Sequence, residues 1–193
     1  MNLAHVQARL DFIKNGNIHN SSQYCDSSKF KLELKNHQKT MLFAMHSLEN
    51  GNITTQTGSY SVHTNIGVCA DSTGAGKSIE MLAHLCEHPV YIPEEAIVEH
   101  YGSFAYFKSK QIPECLRSNL LVVPHSCVTQ WQSYIDKYTD LSLLIISKRK
   151  DIDRFDVSLV KEHDGITLVS SSMYNEFVSS HPHTWSRVII DEA

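Results

Sequence analysis

The sequence predicts a three-layer α/β domain in which a mainly parallel sheet carries helices on both faces. From residue 65 onwards, short apolar segments alternate with helical patterns, as in parallel strands joined by helical crossovers. The apolar segments are uninterrupted, which is typical of strands buried on both faces. Strands are predicted at 65–70, 119–124, 142–146, 165–170 and 187–191.

The helices are predicted from apolar residues that recur three and four positions apart. The first covers 36–51, where four such residues lie between Met41 and Leu48 and an Asn-Gly pair supplies a stop signal. The remaining helices fall between the predicted strands, at 77–87, 126–138, 153–162 and 172–179.

Two segments fall outside this alternation, so we assign the predicted lobe to 32–193 with an insertion at 88–118. Residues 1–31 are predicted as a short N-terminal helix followed by a polar loop rich in Asn and Ser. The segment 88–118 is too long for a plain connection, and we expect it to form small elements of its own, such as a hairpin. The polar stretch 52–63 is predicted as a loop or weak hairpin.

Composition excludes several classes of protein. The 193 residues suffice for one domain with a core, and the five cysteines are scattered without CxxC spacing, which disfavours both a disulfide framework and a zinc site. A net charge of -4 means that nucleic-acid binding would need a local basic face. No apolar run approaches the roughly 18 residues of a membrane span, so we expect a soluble intracellular protein without membrane contact.

A phosphate-binding loop is predicted in the segment DSTGAGKS. The template GxxxxGK[ST] is matched at Gly76, Lys77 and Ser78, whereas Asp71 stands where the template has its first glycine. Gly74 and Gly76 let the backbone curl so that its N–H groups face phosphate. Lys77 is expected to contact the β- and γ-phosphates, and the Ser78 hydroxyl to bind Mg²⁺. The other nucleotide-binding positions in this loop are Ser72, Thr73 and Ala75.

A second half of a nucleotide site is predicted where the chain reads RVIIDEA. An apolar strand there brings Asp191 and Glu192 to its carboxyl end, where parallel sheets carry their sites. Asp191 is expected to hold Mg²⁺ through water, and Glu192 to polarise the attacking water. Together with Lys77, these two carboxylates are the predicted catalytic residues.

Four segments resemble the first RecA-like lobe of superfamily 2 helicases and translocases, over about residues 32–193. DSTGAGKS is similar to motif I, whose first position is often Asp in the chromatin-remodeller type, and IIDEA is similar to the start of the DEAx box. LLVVPHSCVTQWQSYI is similar to motif Ia. LKNHQ resembles the adenine-recognising block, in which Gln38 would read the adenine edge. The helicase-like ATPases of large DNA viruses are similar in character.

The resemblance implies ATP and Mg²⁺ as cofactors and the backbone of DNA or RNA as the partner. In this superfamily, motif Ia and a later hydroxyl block contact the nucleic acid, and the matching residues here are Pro124, His125, Ser126, Ser171 and Ser172. From the residues alone, Ser126 and Ser172 could equally be ordinary helix N-caps.

The resemblance also implies a second RecA-like lobe beyond residue 193, which in this superfamily supplies arginine fingers. An arginine finger is worth about 10³–10⁵ in rate, so these 193 residues alone are expected to hydrolyse ATP very poorly.

Two other classes of function remain as alternatives. A different phosphate-loop enzyme is disfavoured because a GTPase would carry an Asn-Lys-x-Asp block and a kinase would not need the Asp-Glu pair. A non-catalytic module that binds nucleic acid or a partner is disfavoured by the intact Lys77, Asp191 and Glu192. Trp131 is expected to pack in the core rather than stack on a base, and Arg187 to be a solvated strand start.

Overall fold

In the computed structural model of the protein, the described residues are 27–50, 55–57, 60–62, 66–72, 74–91, 94–101, 104–111, 115–161 and 164–192. The predicted N-terminal helix, nearly all of the loop after it and Thr73 lie outside these ranges. The chain divides into two compact units, Met1–His84 and Leu85–Ala193. Within the described ranges, no helix combines the length and the apolar character needed to cross a membrane.

The first unit contains a long helix, two short strands and the beginning of a second helix. Helix α1 (Asn36–Glu49) confirms the helix predicted at 36–51, and strands β1 (Thr55–Thr57) and β2 (Tyr60–Val62) pair as the predicted weak hairpin. Helix α2 (Lys77–Glu87) has the predicted bounds, and the boundary between the units falls within it.

The strand predicted at 65–70 is wrong over its described part. Residues 66–70 adopt no regular secondary structure, and the side chains of Ile66 and Val68 are 74% and 87% exposed. A strand needs a neighbour that takes up its backbone hydrogen bonds, and none of the ladders among the described residues includes this segment. An apolar pattern alone was therefore insufficient to make a strand here.

The second unit contains the other eight strands and four helices of the described chain. The strands are β3 (Glu94–Tyr101), β4 (Phe104–Gln111), β5 (Cys115–Leu116), β6 (Ser118–Val123), β7 (Ser142–Ile146), β8 (Gly165–Ser170), β9 (Thr184–Trp185) and β10 (Val188–Ile190). The helices are α3 (Val128–Tyr138), α4 (Arg149–Asp153), α5 (Ser158–Lys161) and α6 (Ser171–Ser180), and a 3₁₀ turn covers His125–Cys127.

Four of these strands form the parallel sheet that the sequence predicts. Their order is β10–β6–β8–β7, and every neighbouring pair is parallel. They match the strands predicted at 119–124, 142–146, 165–170 and 187–191. Strands β3 and β4 pair antiparallel, which confirms a hairpin within 88–118, while β5 and β9 form a separate parallel pair.

The helix predicted at 153–162 is shorter in the structure, where only α5 covers that span and the separate helix α4 precedes it. An aspartate lies at the start of each helix. Asp151 accepts hydrogen bonds from the N–H groups of Ser147 and Lys148, both at 2.9 Å, at the start of α4. Asp156 accepts one from the Ser158 N–H at 2.9 Å, at the start of α5. Such side-chain acceptors satisfy helix N–H groups that have no partner within the helix.

The core of the second unit covers the central strands on both faces. Strands β6 and β8 are buried at all of their positions. Leu120, Val122 and Val169 pack into one apolar cluster with Phe177 and Trp185, whereas alternate strand residues face the other side of the sheet. Burial of each large apolar side chain contributes about 1.5–3 kcal/mol, so this cluster fixes the strands and the helices that follow them.

We predict that Asp151→Asn destabilises the chain by about 0.5–1 kcal/mol, the lower part of the range for loss of a capping carboxylate. Burial would raise the pKa of Asp151, but the N–H donors of Ser147 and Lys148 outweigh it, and the pKa lies below the ordinary value. The stabilisation is therefore present above the unfolded-state pKa and lost as the pH falls through the lowered, folded-state pKa.

Thermal unfolding at several pH values tests this prediction. The melting temperature of Asp151→Asn should be about 1–4 °C below wild type at pH 7, with a difference that shrinks in acid. Asp153→Asn is the matched control, because Asp153 is exposed on the same helix. Equal effects of the two substitutions would contradict a capping role for Asp151.

Candidate functional site

The phosphate-loop segment has the backbone that its glycines predict. Gly74 and Gly76 have φ of 86° and 101°, a left-handed conformation that glycine adopts without a Cβ penalty. The Ala75 N–H donates to the Ser72 carbonyl at 3.2 Å and closes a turn. The loop leads directly into α2, whose amino end carries the partial positive charge that favours an anion.

Helix α1 contacts the loop through two side chains. His37 Nε2 hydrogen-bonds with the Ala75 carbonyl at 3.1 Å. Gln38 is 6% exposed, and a Cβ built on Gly76 would collide with its amide nitrogen, so a side chain at 76 would have to displace that amide. The predicted adenine reader thus lies against the phosphate loop. His37 was not predicted, although it stands beside Gln38 in the adenine-block match.

The Gln38 amide oxygen has a structural partner of its own. It accepts a hydrogen bond from the Lys35 N–H at 2.9 Å and so takes up a free donor at the start of α1. This bond fixes the side chain, and the amide nitrogen is thereby held next to Gly76.

Lys77 holds the loop in its present shape. Its ammonium group donates to the carbonyl oxygens of Asp71 at 2.8 Å and Ser72 at 3.2 Å. Asp71 therefore contributes its backbone to this contact, which does not require glycine at the first loop position. Ser78 follows in the first turn of α2 and is half-buried. An ammonium bound to two carbonyls can exchange them for phosphate oxygens, which are stronger acceptors for a cation.

Cys69, Asp71 and Glu80 form a cluster next to the loop that the sequence did not predict. One ligand atom from each lies within 4.8 Å of the others, and Glu80 is 1% exposed. Burial raises the pKa of the Cys69 thiol, and the charges of Glu80 and Asp71 raise it further. We assign no function to this cluster.

In the second unit, Asp191 is held through both its backbone and its side chain. Its N–H donates to the Val122 carbonyl at 2.9 Å, which continues the ladder between β6 and β10. The Trp131 indole N–H donates to Asp191 Oδ2 at 2.7 Å. Trp131 is buried in α3, as expected for a core residue, but its contact with the predicted catalytic carboxylate was missed. The sequence offered only a general reason to expect such a contact, which is that a buried Trp N–H usually finds a hydrogen-bond acceptor.

Glu192 is exposed and has a φ of 54°. A residue with a Cβ adopts this left-handed conformation at a cost of about 1–2 kcal/mol. The chain turns sharply after β10, and the two predicted catalytic carboxylates consequently lie in different environments. Asp191 is tied into the sheet, whereas Glu192 is presented to solvent.

The expectation that Arg187 is a solvated strand start is wrong. Its guanidinium donates to Asn119 Oδ1 at 3.0 Å and lies 5.6 Å from the centre of the Tyr91 ring. Asn119 is fully buried and in turn donates to the Pro89 and Gly165 carbonyls. Arg187 therefore satisfies a buried amide at the amino end of β6, opposite to the end that carries Asp191.

The predicted nucleic-acid residues are joined by a hydroxyl group that was not predicted. The buried Ser170 hydroxyl hydrogen-bonds with His125 Nδ1 at 3.2 Å and with the Ser172 hydroxyl at 2.9 Å. It therefore links the ends of β6 and β8. The sequence signal was a run of three serines that begins with the last residue of β8, of which only Ser171 and Ser172 were selected.

Of the predicted contact residues, the structure brings together His125 and Ser172 through Ser170. Ser126 and Ser171 are exposed beside them. Pro124 precedes the 3₁₀ turn. The alternative that Ser126 and Ser172 are N-caps is wrong, because Cys127 and Ser170 occupy those positions in α3 and α6.

The chain is similar to known proteins in sequence and in fold. The SNF2-related domain family matches residues 37–193. The chain is 26% identical over 149 residues to a protein of Acanthamoeba polyphaga mimivirus named "Putative helicase R592", covering 65% of this chain and 18% of that protein. Its fold is similar to the Sulfolobus solfataricus SWI2/SNF2 ATPase core in complex with dsDNA, with a TM-score of 0.52 and 12% identity over 87% of this chain and 33% of the other. The chain thus spans a third or less of either relative.

We predict that Gly76→Ala is more damaging than Gly74→Ala. Both alanines would adopt a left-handed conformation at a cost of about 1–2 kcal/mol. Only the alanine at 76 would also displace the Gln38 amide, because among the described residues nothing lies within 4 Å of a Cβ at 74. The free energy of unfolding measured in urea should fall further for Gly76→Ala.

The double variant Gly76→Ala/Gln38→Ala provides the control. Removing the Gln38 amide removes the collision, so the two substitutions should cost less together than the sum of the single variants. Strict additivity, or equal losses for the two glycine variants, would contradict the proposed contact.

Proposed function

Because the chain belongs to the family of SNF2-related domains, we propose that it is the ATP-binding lobe of a nucleic-acid-dependent ATPase of superfamily 2. The full protein would couple ATP hydrolysis to movement on, or remodelling of, nucleic acid. The observation that carries the proposal is the loop from Asp71 to Ser78, with two left-handed glycines, a helix amino end and a lysine bound only to loop carbonyls among its described contacts.

In this proposal the loop residues Asp71–Ser78 bind the triphosphate. Lys77 exchanges its contacts with the Asp71 and Ser72 carbonyls for the β- and γ-phosphates, and the loop N–H groups supply further donors. Gln38 contributes to recognition of the adenine. Since its oxygen already accepts from Lys35, its amide nitrogen is the group left to donate to the base.

The residues proposed for Mg²⁺ fit that ion by their chemistry. Ser78 and Asp191 offer a hydroxyl and a carboxylate, the hard oxygen donors that Mg²⁺ prefers, and Mg²⁺ usually keeps several waters beside one or two protein groups and the phosphates. Glu192 is exposed, so a water molecule can reach the carboxylate that is proposed to polarise it. The ion would neutralise charge on the phosphates as the terminal one departs.

The carboxyl ends of β6 and β8 are proposed to contact a nucleic-acid backbone. His125, Ser126, Ser171 and Ser172 present hydroxyl and imidazole groups beside the amino ends of α3 and α6, a suitable environment for phosphate. The fold relative in complex with dsDNA supports DNA as the first nucleic acid to test. Such contacts carry no base readout, and their affinity should fall with salt.

The proposal includes two features that concern the whole protein: a second lobe and a location in the cell. A second RecA-like lobe would follow this one and supply arginine to the phosphates. An intracellular location is also proposed, because the described cysteines are free thiols, which suit a reducing compartment.

We predict nucleic-acid-stimulated ATP hydrolysis from a polypeptide that contains residues 1–193 together with the second lobe. Steady-state phosphate release should rise when duplex DNA is added, and Lys77→Ala should abolish it by removing the cation that faces the phosphates. The 193-residue chain alone should bind ATP yet release phosphate at the background rate. A two-lobe protein whose ATPase rate ignores both DNA and RNA would refute the proposed function.

We predict that Glu192→Gln separates binding from turnover in the same two-lobe protein. The amide keeps the size of the side chain but cannot take a proton, so ATP affinity should stay within about twofold of wild type while turnover falls by about 10²-fold or more. Glu176→Gln, on the surface of α6, is the control and should leave both quantities unchanged. Near-normal turnover of Glu192→Gln would remove Glu192 from the role of base.

A further inference from the structure

The hydrogen bond between Trp131 and Asp191 connects two elements that have different proposed roles. Asp191 follows β10 and is the proposed metal-binding carboxylate. Trp131 lies in the first turns of α3, the helix that begins beside the proposed nucleic-acid contacts. At 2.7 Å, the bond from the indole N–H to Oδ2 is as short as charge-assisted hydrogen bonds usually are.

This bond removes the remaining freedom of the Asp191 side chain. The backbone of Asp191 is already fixed by its N–H bond to the Val122 carbonyl, so only the two side-chain torsions could still vary. The indole ring itself is 4% exposed and held by packing. Since a carboxylate accepts several hydrogen bonds, the contact with Trp131 leaves acceptor sites for a metal-bound water.

We propose that Trp131 is a positioning residue, which orients the Asp191 carboxylate for Mg²⁺ and ties that carboxylate to the nucleic-acid-binding end of α3. The inference rests on the proposed function, because it assigns Asp191 to the metal. Groups that orient metal-binding side chains in this way typically account for about 10–100-fold in metal affinity.

The link to nucleic acid follows from the position of Trp131 in its helix. The 3₁₀ turn His125–Cys127 leads directly into α3, and Trp131 lies one helical turn further on. A phosphate bound at His125 and Ser126 would shift the start of a rigid helix, and the indole N–H would shift with it. The Asp191 carboxylate accepts a hydrogen bond from that N–H, so the shift would change its position.

Trp185 provides a matched comparison for this role. It is also buried, at 6% exposure, but it packs among aromatic rings, with Phe177 and Phe155 at centroid distances of 5.9 and 6.3 Å. The chain has only these two tryptophans, so each substitution leaves a single indole to observe. Trp131→Phe and Trp185→Phe remove the same chemical group, and only the first removes a donor to Asp191.

The first experiment observes the hydrogen bond directly in the 193-residue chain by ¹H–¹⁵N NMR. The Trp131 indole signal is identified as the one that remains in Trp185→Phe, because the chain has only two tryptophans. It should move upfield and exchange faster with deuterium when Asp191→Asn replaces the charged acceptor. An indole signal whose position and exchange rate are unchanged by Asp191→Asn would overturn the inference. This measurement needs no Trp131 variant to fold.

The second experiment measures ATP affinity with and without Mg²⁺. Mg²⁺ should raise the ATP affinity of Trp131→Phe by about 10–100-fold less than it raises that of wild type, while the two proteins bind ATP equally in EDTA. Trp185→Phe should behave as wild type in both conditions. A merely structural loss would weaken both affinities together, and that result would overturn the positioning role.

The third experiment adds a short duplex DNA at saturation. In wild type and Trp185→Phe, the duplex should change the Mg²⁺-dependent ATP affinity and move the Trp131 indole signal, and in Trp131→Phe the change in affinity should be lost. A change that persists in Trp131→Phe would overturn the link to nucleic acid.

The outcomes separate the two proposals. Wild-type protein that binds no ATP in either condition would refute the proposed function and the metal-positioning inference with it, whereas ATP binding without any dependence on Mg²⁺ would refute the inference alone. Mg²⁺-dependent binding that is equal in wild type and Trp131→Phe would refute the inference alone.

Discussion

Parallel pairing of β6 with both β8 and β10 is the constraint on which the second unit depends. Parallel neighbours end at the same edge of a sheet, so the residues that follow these three strands must lie close together. Here those residues are the His125 turn, the serines at the start of α6, and Asp191. The burial of β6 and β8 at every position makes the arrangement rigid, because a shift in register would expose apolar side chains.

Buried polar groups then join the strand ends to one another. Ser170 links the β6 and β8 ends by accepting or donating to His125 and Ser172, and Trp131 links α3 to Asp191. Because polar groups that lose water need partners, these contacts hold the edge in one arrangement. In the first unit, the phosphate-loop segment is held similarly, by His37, the Gln38 amide and the Lys77 ammonium.

Among the described residues, sequence periodicity located the four strands of the parallel sheet and four of the six helices within two residues, and its failures have physical causes. The segment IGVCA has the composition of a strand, but strand formation depends on a hydrogen-bonding neighbour, which a local pattern cannot reveal. The helix predicted at 153–162 is confined to α5, at whose start Asp156 accepts a hydrogen bond from the Ser158 N–H. Local side-chain acceptors can thus override apolar spacing when the segment is short.

For the site, the sequence by itself determined the residue types and their order: two glycines before Lys77 and Ser78, and an apolar strand before Asp191 and Glu192. The roles proposed for these residues follow from chemistry, since phosphate needs backbone N–H groups and a cation, and Mg²⁺ needs oxygen. Only the tertiary structure decided which groups support them. Trp131 and Asp191 lie 60 residues apart in the chain. Other partners across the sheet have other separations, and no periodicity encodes such contacts. They arise because packing, not local preference, brings the ends of distant strands and helices together.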